Sequence, residues 1–286
     1  MAVKRAFFFG CSFTNYSWPT WADAVGHTLH SQGYEYYNFG LPGSGNDLIF
    51  KTMLRASQEY HFTSDDLVFV MWTSWNREDR YTRTENGVAW QLQGNVLNNH
   101  IYDDEFISKH WSMEHDIITS ISAISAARRL FDISFESSIP VFEGGRRLSF
   151  DDPLITELEK VVMPNPMVDV TSNQLLATHD GHPDIPKILE YLDQVFTPAT
   201  GIHLESNTRI WLNEFNQFML DAVAPLTTPG MSLSLADRMW RDDISFKIMN
   251  HHADNEWYRM PESAASMWCV NKLVNYMRDF SNQVLR

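Results

Sequence analysis

The chain has 286 residues, is 44% hydrophobic and 20% charged, and carries a formal charge of −14 from 22 basic and 36 acidic side chains. This profile excludes a disordered chain and suits one large domain, or one domain with a sizeable appendage. The acidic balance argues against general nucleic-acid binding, because such a surface repels phosphate backbones. No apolar run approaches the roughly 18 residues that a membrane-spanning helix needs, so no membrane partner is expected.

The first element is an apolar run at Ala6–Phe9, too brief for a helix and suited to a buried parallel strand. The preceding basic residues superficially resemble a secretory leader, but the apolar run is too short, and the segment is expected to be mature protein. The run ends in Gly10, Cys11, Ser12, Phe13 and Thr14. A turn alone does not need a glycine, a thiol and a hydroxyl together; a nucleophile presented at the end of a strand does. Ser17 and Pro19 then read as an N-cap and a first-turn proline of a helix through Trp21, Ala24, Val25 and Leu29.

A second strand is expected at Tyr34–Phe39, a glycine-rich loop from Gly40 to Asn46, a helix at Leu48–Tyr60, and the best buried strand, LVFVMW, at Leu67–Trp72. Strand, helix, strand, loop, helix, strand is the order of a parallel α/β sheet. Tyr81–Trp111 reads as an irregular aromatic insertion. Further helices are expected at Ile117–Leu130, Leu154–Val162 and Ile185–Phe196, with a fourth strand at Ile139–Phe142. Thr197 to Gly201 looks like a domain boundary, and helices at Trp211–Ala222 and Ala264–Val284 follow. Two cysteines, Cys11 and Cys269, make neither a disulfide framework nor a zinc set, so a reducing, cytoplasmic setting is the default.

Three loops follow three expected strands, and in an open parallel sheet the carboxyl ends of the strands form the ligand crevice. The loops carry Gly10, Cys11, Ser12 and Thr14; then Gly40, Gly43, Gly45 and Asn46; then Thr73, Ser74 and Asn76. A late loop adds Asp180 and His182 just before a helix. Together these suit acyl transfer. Ser12 is the nucleophile, His182 can take its proton, and Asp180 can hold the imidazole. The amides of Ser12 and Gly43, with a side-chain donor from the third loop, can form an oxyanion hole. Cys11 is the alternative nucleophile, although a cysteine beside a buried strand is more often inert packing. Gly43 also suits a plain Pro-Gly turn. Trp72, Trp75 and Trp90 read either as core or as a surface for sugar rings. Arg77, Glu78 and Arg80 read as solvated charge or as substrate contacts. The histidines show no acidic or cysteine ligands at metal spacing, and neither metal nor cofactor is expected.

The segments FFFGCSFT, NFGLPGSGN, VMWTSWNRED and DGHP, in that order, resemble the four sequence blocks of the SGNH (GDSL-type) hydrolase superfamily. They are also similar to a divergent phage- and environment-associated branch with Gly-Cys-Ser-Phe-Thr in its first block. The resemblance covers roughly residues 6–196. It implies a three-layer α/β/α sandwich with a parallel, flavodoxin-like sheet over 1–196 and leaves 197–286 as a helical extension or cap. It also implies a serine esterase acting on an acylated carbohydrate or other small ester, with Ser12, His182 and Asp180 catalytic. Ser12, Gly43 and either Asn76 or Ser74 would line the oxyanion hole, and Trp72, Trp75 and Arg77 would contact substrate. The chain departs from the family pattern in three places: Cys11 replaces the usual Asp, Asn76 lies two positions late, and Asp180 is two rather than three residues before His182. An O-acyltransferase and an inactive glycan-binding or structural module are the alternatives, and a phage-encoded chain would be virion-associated. The oligomeric state is left open.

Overall fold

Three consecutive phenylalanines organise the middle layer of the computed structural model, which describes residues 3–16, 19–75, 77–84, 87–91, 104–139 and 183–223. Strand β1 (Lys4–Phe9) sends Phe7 and Phe9 to one side of the sheet and Phe8 to the other, as strand alternation requires. Phe7 stacks on Tyr37 with ring centroids 5.0 Å apart, and Phe9 stacks on Phe39 at 5.3 Å. On the opposite side Phe8 meets Trp21 at 5.6 Å and Phe69 at 4.9 Å. All three phenylalanines are fully buried. A strand that is apolar on both faces has to be covered on both, and a parallel sheet with helices on either side does this.

The sheet contains β1, β2 (Tyr34–Asn38), β3 (Leu67–Trp72) and β6 (Phe135–Ser138) in the order β2-β1-β3-β6, with every pairing parallel. Helix α1 (Trp21–Ser31) covers one face with α5 (Ile185–Tyr191), while α2 (Asn46–Tyr60) packs beside α4 (Met113–Leu130) on the Phe7 side. The expected three layers are present. β1 lies between β2 and β3, which brings the loops after these three strands to one edge of the sheet.

Several boundaries differ from the sequence expectation. Helix α1 is capped by Thr20, not Ser17: Thr20 and Asp23 form a reciprocal capping box, with the Thr20 amide donating to Asp23 at 2.8 Å. The fourth strand is Phe135–Ser138, four residues before the apolar run that suggested it. It reads as polar, but Ser137 and Ser138 are small enough to be buried, and Glu136 is neutralised by Arg128 at 2.8 Å. The stretch expected to be irregular holds an antiparallel hairpin, β4 (Arg80–Thr84) with β5 (Gly87–Gln91), and a short helix, α3 (Asp104–His110). Asn86-Gly87 was its sequence signal. The expected helices at Leu154–Val162 and Ala264–Val284 lie outside the described residues.

Helix α5 continues through a π turn (Leu192–Phe196) into α6 (Thr197–Thr200), and ends at Gly201, whose φ of +71° suits a residue without Cβ. Phe196, at the end of the π turn, meets Trp21, Phe69 and Phe135. Helix α7 (Ser206–Val223) then returns to α1: the Thr208 hydroxyl lies 2.8 Å from His27 Nδ1, and Trp211 stacks on the same imidazole. The chain divides into two compact units, Met1–Asn216 and Gln217–Arg286, and the sheet belongs to the first. Among the described residues no helix is long and apolar enough to cross a membrane.

Candidate active site

The first loop leaves the central strand at Phe9 and turns at once. A Cβ on Gly10 would sit 2.0 Å from Thr14 Oγ1 and 3.0 Å from the Met71 carbonyl, so only glycine fits between the turn and β3. The Cys11 carbonyl accepts from the amides of Thr14 at 2.9 Å and Asn15 at 3.2 Å. Ser12 therefore sits inside a closed turn at the carboxyl end of β1 and is 6% exposed. Cys11 is fully buried and unpaired in any disulfide.

The second loop is bonded to the first. Leu41 donates its amide to the Gly10 carbonyl at 2.9 Å, and Asn15 Nδ2 donates to the Gly40 carbonyl at 3.0 Å. Asn38 Nδ2 donates to the Thr14 carbonyl at 2.8 Å. Leu41, Pro42, Gly43 and Ser44 form a turn closed by the Ser44 amide on the Leu41 carbonyl at 3.0 Å. Gly43 takes a φ of +83° there, the conformation that a Pro-Gly turn requires at its third position.

The third loop is bonded to the second through side chains. Asn46, the first residue of α2, acts as a peptide mimic: its Nδ2 donates to the Thr73 carbonyl at 3.0 Å, and its Oδ1 accepts from the Thr73 amide at 2.8 Å. Arg77 donates from Nη1 to the Ser44 carbonyl at 3.1 Å. Asp79 accepts from the amides of Gly45 at 2.8 Å and Leu48 at 2.9 Å, and so caps α2 from a remote loop. Burial pushes the Asp79 carboxyl up to about 6, against the opposing pull of those two amides.

A second carboxyl lies close by. Glu78 is buried and accepts from Arg80 Nε at 2.5 Å, while Asp116, in the first turn of α4, accepts from Trp111 Nε1 at 2.8 Å. Burial, and then a hydrogen bond with Glu78, raise the Asp116 carboxyl well above its ordinary range. Two buried carboxyls in contact cannot both ionise cheaply, and here Asp116 is the one pushed upward. Sequence reasoning saw Glu78 only as part of a charged cluster and missed Asp79 and Asp116 altogether. The partners sit on different elements, and no local spacing signals their meeting.

Ser12 and Gly43 lie on loops joined by direct hydrogen bonds, and buried Ser74 follows Thr73 on the third. Trp75 and Arg77 are half-buried in the third loop. Trp72, expected to contact substrate, is core: it is fully buried, and its indole N–H is used by Glu136 at 2.9 Å. Asn76, Asp180 and His182 lie outside the described residues. The described residues continue from Pro183 and enter α5 through Asp184, which caps the helix by accepting from the Lys187 amide at 3.0 Å. Among the described residues no cluster of three His, Cys, Asp or Glu side chains is placed to hold a metal ion.

No protein-family model matches the chain, and no curated protein matches it. Among solved structures, a catalytic mutant of Axe2, an acetylxylan esterase from Geobacillus stearothermophilus, is 18% identical with a TM-score of 0.34. A second structure of Axe2 is 17% identical with a TM-score of 0.32. Each alignment covers 71% of this chain and 97% of the other. Similarity at this level carries neither substrate nor mechanism to this chain.

Proposed function

We propose that the chain is a serine esterase of the SGNH type that removes O-acetyl or other short acyl groups from a carbohydrate. The observation that supports this most is the position of Ser12, in the turn ending the central strand, with the loops after β2 and β3 hydrogen-bonded to that turn in series. The four sequence blocks supply the rest of the reading.

In this mechanism Ser12 Oγ attacks the acyl carbon while His182 takes the hydroxyl proton, and Asp180 holds the imidazole in the required tautomer. The negative charge developing on the carbonyl oxygen is met by the amides of Ser12 and Gly43 and by Ser74 or Asn76. One such donor is typically worth about 3–4 kcal/mol in the transition state. The tetrahedral intermediate expels the sugar hydroxyl, which takes its proton from the imidazolium. Water, deprotonated by the same histidine, then releases the acid and restores Ser12. Trp75 and Arg77 line the substrate side, residues 1–196 hold the machinery, and 197–286 form a helical extension or cap.

The test pairs p-nitrophenyl acetate hydrolysis with covalent labelling by a serine-reactive phosphonate, the label located by mass spectrometry. Ser12→Ala removes both signals while the far-ultraviolet circular dichroism is unchanged, and Cys11→Ala retains most activity. Labelling at Ser12 without turnover in water points to an acyltransferase. Absence of both signals in the native chain points to an inactive module. A protein that needs Cys11 and tolerates loss of Ser12 would sink the serine mechanism.

A further inference from the structure

The loop that carries Gly43 is held from two sides. On one, the Leu41 amide bonds to the Gly10 carbonyl. On the other, every bond is made with the third loop: Arg77 on the Ser44 carbonyl, Asn46 of α2 on the Thr73 backbone, and Asp79 on the Gly45 and Leu48 amides. The last of these is the unusual one. A helix start normally receives its cap from its own N-cap side chain, a Ser, Thr, Asp or Asn. The N-cap of α2 is Gly45, which has no side chain to offer. A Cβ at that position would lie 2.4 Å from Asp79 Oδ2 and 2.8 Å from the Arg77 carbonyl. Glycine makes room here for a carboxylate from another strand's loop, so the cap joins two loops of the site instead of closing one.

We propose that Asp79 is a positioning residue that fixes the Gly43 loop against the third loop and releases it on protonation, so that activity is gated by a proton outside the catalytic triad. The proposal rests on the reading of Gly43 as an oxyanion donor. Its chemistry is simple. The carboxylate offers one oxygen to each amide, Oδ1 to Gly45 and Oδ2 to Leu48. Protonation removes the charge from both oxygens and turns one of them into a hydroxyl, a much poorer acceptor for the N–H that faces it, so the cap weakens. The groups facing Asp79 set where this happens. Burial favours protonation most and the Gly45 and Leu48 amides oppose it; of the nearby charges, Asp47 in the first turn of α2 favours it and Arg77 in the same loop opposes it, and Asp116 lies close enough to feel the Asp79 charge. The balance brings the carboxyl to about 6, within reach of physiological acidification. Because the oxyanion forms only in the transition state, a loosened loop lowers kcat and leaves KM nearly alone.

The test uses the full chain with 15N-labelled glycine and leucine. The Gly45 and Leu48 amide resonances titrate together near pH 6, in the native chain and equally in Ser12→Ala. Asp47→Asn moves that midpoint down, and Asp79→Asn abolishes it. In the esterase assay at pH 8, Asp79→Asn lowers kcat by about tenfold or more and changes KM by less than about twofold, while Asp47→Asn leaves both unchanged. Amide resonances that stay flat between pH 5 and 7.5 overturn the proton gate, with no variant needed. A native kcat in Asp79→Asn overturns the positioning role. Hydrolysis that survives Ser12→Ala overturns the serine mechanism and the catalytic part of the proposal with it, a failure recognisable because the amide titration persists.

Discussion

Asn46 joins α2 to the end of β3 through two hydrogen bonds in a place without water: it is 1% exposed, and Thr73 is fully buried. Asn46→Ala removes a donor and an acceptor at once and leaves both backbone groups of Thr73 without a partner. Each orphaned group costs about 1–3 kcal/mol, well above the roughly 1 kcal/mol that an average hydrogen bond contributes net. Alanine recovers about 0.5 kcal/mol of helix propensity. The expected loss is about 3 kcal/mol. Followed by tryptophan fluorescence, with Trp72 adjacent to Thr73, this lowers the urea midpoint by about 1.5 M at an m-value of about 2 kcal/mol/M. Asn46→Asp separates the two bonds. Its carboxylate still accepts from the Thr73 amide but faces the Thr73 carbonyl, so the variant is destabilised at neutral pH. It regains stability as pH falls and the new carboxyl protonates to become a donor. A loss below about 1 kcal/mol in Asn46→Ala, or an Asn46→Asp variant whose deficit does not depend on pH, would refute the reasoning.

Gly10→Ala forces a Cβ to within 3.0 Å of the Met71 carbonyl and onto Thr14, so it costs about 1–3 kcal/mol in thermal or urea unfolding. It also displaces the carbonyl that holds Leu41, so Leu41 amide exchange accelerates; a variant of native stability argues against a tight first turn. At the opposite end of the sheet, Asp66 accepts from Arg5 Nε at 2.8 Å and Nη2 at 2.7 Å and from the Thr63 amide at 2.7 Å. Burial by itself would raise this carboxyl, but Arg5 and Thr63 together hold it below its ordinary value. A depressed folded-state pKa stabilises the native state above the unfolded value of about 3.9, and the benefit is lost as pH falls through the folded value. Asp66→Asn should therefore be less stable than the native chain at pH 7 and lose less of its stability between pH 5 and 2; parallel pH profiles would contradict this.

The sheet was legible because hydrophobic pattern is local. Phe7, Phe8 and Phe9, and the run from Val68 to Trp72, are buried on both faces wherever their helices lie, and a short, wholly apolar run has few other folded states open to it. The spacing of Ile117, Ile121 and Ile124 marked α4 for the same reason. Polar residues carry no such signal, since a donor or acceptor is satisfied by whichever chain arrives beside it. Ser137, Ser138 and Glu136 therefore hid a strand, and Thr20 displaced Ser17 as a cap because Asp23 was there to answer it. Trp72 went to the core because Glu136, itself held by Arg128, waited for its indole nitrogen. At the candidate site, residue types around Ser12 and Gly43 suggested acyl chemistry. That Asn46 would pair with Thr73, Asp79 with Gly45, and Glu78 with Asp116 depended on which loops the parallel sheet brought to one edge, and only the assembled tertiary structure decides that.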